Sequence, residues 1–190
     1  MLLEGTMSTD IQITTEVLYR GALMFAILDA IYIPLLIWRI HKESFRRLKW
    51  WLVIVAACFW YGIWSWALGT YWESVYSYVF PARARIWVPW IAFSLAAIVA
   101  LGLWASALAV KWNTVFSYCL FGGMIGILTH IRAVHLGIVT KPPMLRGASP
   151  LAAIIVAFFE FIFYWCTILL IAKLLNWLQM SLRHKPLLPQ

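Results

Sequence analysis

The chain has 190 residues, of which 64% are apolar and only 12% charged, and its formal net charge is +8. Soluble domains average about 45–50% apolar and about 25% charged residues, so a water-soluble fold is excluded, as are a disordered chain and a collagen-like one. The composition is that of a polytopic membrane protein.

The opening stretch, MLLEGTMSTDIQITTE, holds no Lys or Arg. A cleavable leader needs a basic start, so none is expected, and residues 1–16 read as an extramembrane segment. A membrane helix needs about 20 mostly apolar residues to cross about 30 Å of hydrocarbon. Five segments qualify: Val17–Ile40, Trp50–Trp72, Val88–Val110, Val115–Val139 and Leu151–Leu178. Their separators are HKESFRRLK, ESVYSYVFPARARIW, KWNT and TKPPMLRGASP. The apolar runs are continuous rather than alternating, which argues against a β-barrel. Helices also pair every backbone group inside lipid. The expected fold is an all-α, five-helix transmembrane bundle over 17–178, followed by a tail at 179–190. In the loop before the last span, Ser149 and Pro150 read as N-cap and first helical residue.

Lys and Arg near the helix ends set the orientation. Arg39, Lys42, Arg46, Arg47, Lys49, Lys111, Arg183 and Lys185 fall on one side, and Arg83, Arg85, Lys141 and Arg146 on the other. The N-terminus is therefore expected outside and the C-terminus in the cytoplasm, as in a bacterial inner membrane or its equivalent. The positive charge reads as topology and attraction to anionic headgroups. The basic residues form no continuous face, so nucleic acid is not an expected partner.

Tryptophan is abundant, with 13 copies. Trp38, Trp50, Trp51 and Trp112 fall where an inner interfacial belt belongs, and Trp72, Trp87 and Trp90 where an outer one does. Trp60, Trp64 and Trp66 are expected deeper in the second span. Trp60 and Trp64 are four apart and share a helix face. Two readings stand for that face: helix and lipid packing, or the wall of a pocket for a flat apolar ligand. The three cysteines, Cys58, Cys119 and Cys166, lie within spans and form no C-x-x-C, so they read as small buried hydrophobes.

Ionisable groups inside a span are costly and are usually paired or functional. Arg20 and Lys173 lie near helix ends, where long side chains snorkel. Asp29, His130, Arg132 and Glu160 lie deeper. Glu160 and His130 are each roughly 13 Å from the outer surface, and Asp29 is roughly 18 Å down. Spans four and five are joined by a short loop and run antiparallel, so His130 and Glu160 are expected at one level. Gly122, Gly126 and His130 recur every four residues, and the G-x-x-x-G formed by the glycines admits a second backbone. Ala153, Ala157 and Glu160 form a similar stripe, as do Ala22, Ala26 and Asp29.

Three uses remain open for this set: a structural clamp, a ligand- or proton-handling site, and a metal site built from His130, Glu160 and Asp29. No zinc-protease helix motif, P-loop, Rossmann fingerprint or nucleophile elbow is present. The sequence names no cofactor. Two functional readings follow. One is a non-catalytic accessory subunit of a larger membrane complex, in contact with lipids and with other membrane chains or its own copies, holding a lipid, quinone or pigment. The other is a membrane-embedded enzyme or transporter for an apolar molecule, with His130, Glu160 and Asp29 handling protons.

Overall fold

A computed structural model describes residues 14–40, 45–67, 87–135 and 148–183, apart from the side chains of 88, 89, 130, 132–134 and 183. The described residues form five helices and no strand: α1 (Thr15–Arg39), α2 (Trp50–Ala67), α3 (Val88–Ala109), α4 (Thr114–His135) and α5 (Pro150–Arg183). The all-helical reading therefore stands. Four of the helices are long and apolar enough to cross a membrane: Thr15–Arg39, Trp50–Ala67, Trp90–Ala109 and Pro150–Leu182. In α4 the stretch Thr114–Thr129 is apolar. The expected ends of the second and fourth spans, 68–72 and 136–139, lie outside the described residues.

The helix starts follow local chemistry. Thr14 caps α1 by accepting a hydrogen bond from the Val17 amide at 3.3 Å. The Asn113 carboxamide accepts from the Val115 and Phe116 amides at 3.0 and 3.1 Å, which satisfies two orphan donors at the start of α4. Ser149 and Pro150 open α5 as the sequence indicated, with the Ser149 hydroxyl accepting from Ala152 at 3.5 Å. The Ser149 amide also donates to the Thr15 hydroxyl at 2.9 Å, tying the first turn of α1 to the first turn of α5. At 34 residues, α5 is about 50 Å long, more than the hydrocarbon of a bilayer requires. It runs five residues past the expected Leu178 boundary, to Arg183.

Helix α5 is the centre of the bundle and packs on α4, α1 and α2, while α3 packs on α2 and α4. Along α1 and α5 the paired residues rise together: Thr15 with Ser149, Gly21 with Val156, and Tyr32 with Phe163. These helices are parallel. Along α4 and α5 the numbers run opposite ways, from Cys119 with Cys166 to Gly126 with Ala157 and Phe161. These are antiparallel, as alternating crossings require.

The α4–α5 seam is the tightest described contact. A Cβ on Gly123 would sit 2.6 Å from the Phe158 ring and 2.7 Å from Ile162. On Gly126 it would sit 2.7 Å from the Ala157 carbonyl oxygen and 2.7 Å from the Phe161 Cβ. Gly122 is likewise pressed against Trp165. Without a Cβ, Gly122 lies against the Trp165 side chain and Gly126 against the backbone of α5 at Ala157.

The outside is apolar and ringed with tryptophan. Trp38, Trp50, Trp112 and Trp177 are exposed toward one end, and Trp87 and Trp90 toward the other. Trp66, expected deep, is 85% exposed and lies one residue from the end of α2. Arg39 lies over the Trp38 ring at 4.4 Å, and Arg20 pairs with Glu16 at 2.6 Å on the exposed face of α1. Both are arrangements suited to an interfacial zone.

Candidate functional site

The two faces of α5 determine which ionisable groups meet. Ala157, Phe161 and Trp165 lie against the α4 glycines, while Val156 and Phe163 lie against α1. Glu160 is one turn beyond Val156 and three residues before Phe163, so it continues the α1-facing stripe. It stands about 100° round the helix from Phe161, on the side away from the glycine seam. Glu160 is partly buried there, between Phe159 and Phe161 in sequence.

Asp29 sits on the same α1–α5 seam. It is 4% exposed, and neither carboxyl oxygen has a hydrogen-bond partner among the described residues. It lies within electrostatic reach of Cys166. Ala22, on the same inward face of α1, is also 4% exposed, as the stripe Ala22–Ala26–Asp29 implied. Because α1 and α5 are parallel and in register, Glu160 stands level with Phe25 and Asp29 level with Tyr164. The two carboxyl-bearing residues are separated in height by about one turn, or about 6 Å.

His130 and Arg132 are helical in backbone, but their side chains lie outside the described residues. Among the described residues, no group of three His, Cys, Asp or Glu side chains could hold a metal ion.

Trp60 and Trp64 share a face, with ring centroids 5.7 Å apart. Both rings pack on Tyr164 of α5, at 6.4 and 5.7 Å. Tyr164 in turn meets Trp165 edge-on at 5.0 Å. This aromatic cluster joins α2 to the central helix, so the pocket-wall face is lined by protein rings on its inner side. The Trp60 indole nitrogen is buried with no hydrogen-bond partner among the described residues.

Sequence reasoning missed a second group of polar atoms in the interior. Ser117 and Tyr118 of α4 are fully buried, and neither hydroxyl has a described partner. The indole nitrogen of Trp165 is in the same position. Beside them the Cys119 and Cys166 sulfurs lie 2.8 Å apart. No spacing signal announces that pair, since 47 residues separate the two cysteines. Only the antiparallel packing of α4 on α5 brings them together. The site thus has two parts, a carboxyl seam between α1 and α5 and a thiol–aromatic core between α4 and α5.

No protein-family model matches the chain, and neither the curated proteins nor the solved structures contain a significant match.

Proposed function

We propose that the chain is a non-catalytic accessory subunit of a membrane complex, and that a transmembrane helix of a partner chain docks on α3. One observation carries this reading. Gly102 has open space where its Cβ would be, with nothing within 4 Å, and Ala105, Ser106 and Ala109 beside it are exposed. Gly102 and Ser106 are four apart, so α3 turns a small-residue groove outward. A helix-interior glycine is unfavourable by about 1 kcal/mol relative to alanine, so its use is best explained by close approach of a second backbone. The α4–α5 seam shows this protein using glycine in that way internally. Helix α3 packs on α2 and α4 and leaves its other side available. A lipid, quinone or pigment held at such an interface is consistent with the surrounding apolar surface.

Purification in a mild detergent tests the reading. Partner chains should co-purify with the wild-type protein, and Gly102→Leu should release them while leaving the subunit folded. A monodisperse particle holding one chain of 21.9 kDa would refute it. So would a particle of two identical chains, or a Gly102→Leu variant that retains its partners.

Asp29 favours a second reading, in which the bundle is an enzyme or transporter that handles protons for an apolar molecule. A buried carboxyl with no described partner is costly in a membrane interior and calls for a use. Asp29 and Glu160 would then exchange a proton along the α1–α5 seam, with His130 and Arg132 contributing from α4. Asp29→Asn and Glu160→Gln should each abolish such an activity without loss of fold. Normal growth and transport phenotypes in cells carrying both substitutions would remove this reading.

A further inference from the structure

We propose that Cys119 and Cys166 are a modification site, a dithiol that closes into an interhelical disulfide when a small neutral peroxide oxidises it. Their sulfurs are 2.8 Å apart. This is less than 1 Å beyond the bonded S–S length of about 2.05 Å, so little movement is needed to form the bond. The helices that carry them are held at close range by Gly122, Gly123 and Gly126, so the sulfurs face each other on a rigid seam. Proximity of this kind replaces a bimolecular encounter with an intramolecular one.

A two-sulfur metal site fits the geometry poorly. Two metal–sulfur bonds of about 2.3 Å each would have to close on sulfurs only 2.8 Å apart, giving an angle far below tetrahedral. The exposure of the residues also selects the oxidant. Cys119 is 1% exposed and Cys166 is 0% exposed, so bulky reagents are excluded. Local opening of a helix seam admits a molecule the size of hydrogen peroxide.

In the first step one thiol sulfur attacks a peroxide oxygen and the O–O bond breaks. Water leaves with the thiol proton, and the sulfur becomes a sulfenic acid. In the second step the other thiol sulfur attacks the sulfenic sulfur. An S–S bond forms, the S–OH bond breaks, and a second water departs with the remaining thiol proton. Overall two thiols lose two electrons to one peroxide, which is reduced to two waters. The product fastens the middle of α5 to the first turns of α4, covalently linking the two helices of the glycine seam.

The test uses the full-length protein in detergent micelles or proteoliposomes. It is treated with hydrogen peroxide and denatured, and its free thiols are then counted with a maleimide mass tag. Untreated protein should take three tags and oxidised protein one, with the remaining tag on Cys58, which is half-buried on α2. Mass spectrometry should find the Cys119 and Cys166 peptides linked and lighter by two hydrogens than the separate pair. Cys119→Ser and Cys166→Ser should each remove the linked peptide, and Cys58→Ala should retain it. If either serine variant does not fold, the tag count and the linked peptide in wild-type protein still decide the matter. Three tags after oxidation would overturn the proposal, as would loss of the Cys58 tag alone or a crosslink only between copies of the chain.

Discussion

Replacing Gly126 by alanine places one methyl group where α4 touches the backbone of α5. The new Cβ would lie 2.7 Å from the Ala157 carbonyl oxygen and 2.7 Å from the Phe161 Cβ, whereas ordinary contact begins near 3.4 Å. Neither obstacle is the far end of a flexible side chain, so the helices must separate locally by about 0.7 Å, the difference between those distances. Overpacking of this kind costs about 1–3 kcal/mol. Backbone and Cβ obstacles put the cost in the upper part of that range, about 2–3 kcal/mol; the alanine recovers about 1 kcal/mol of helix propensity, leaving a net loss of about 1–2 kcal/mol. Gly123→Ala meets the Phe158 ring and the Ile162 side chain, which can shift, so its loss should be smaller. Gly102→Ala meets nothing within 4 Å and should be neutral or slightly stabilising in the isolated subunit. Unfolding by SDS titration in mixed micelles, followed by tryptophan fluorescence, measures the order of the three variants. Gly126→Ala as stable as the wild type, or Gly102→Ala as damaging as Gly126→Ala, would contradict the close helix contact on which the bundle is built.

Asp29→Val removes a buried carboxyl with no described partner and should raise resistance to SDS, by about 1–3 kcal/mol. A destabilised variant would show that the carboxyl has a stabilising partner. Asn113→Ala deletes the cap on two amides of α4 and should cost about 1 kcal/mol, with faster hydrogen exchange at Val115 and Phe116. Unchanged exchange there would argue against the cap. Trp64→Ala strips one ring from the cluster with Trp60 and Tyr164 and should cost about 3 kcal/mol, measured by the same SDS titration. A loss under about 0.5 kcal/mol, the level of a surface substitution, would mean the cluster does not bind α2 to α5.

Much of the architecture was legible from the residues, because membrane helices are specified by local composition. A run of apolar residues long enough to span hydrocarbon has only one way to satisfy its backbone, and the helix boundaries follow from polar breaks and caps. This is why α5 begins where Ser149–Pro150 indicate. It also explains why the glycines of α4 were readable as a contact surface: close helix approach leaves a spacing of four.

What the sequence by itself determined is the all-helical fold, the cap of the last helix and the inward stripe of α1. Which groups share a seam was decided only by the tertiary structure. Glu160 is close in sequence to the α4-facing residues Ala157 and Phe161, yet about 100° of helix rotation carries it to the α1 side. Cys119 and Cys166 are 47 residues apart and become neighbours only because α4 and α5 pack antiparallel at glycine distance. Helix formation is governed by interactions within a few residues, whereas rotation and register between helices depend on side-chain fit along the whole seam.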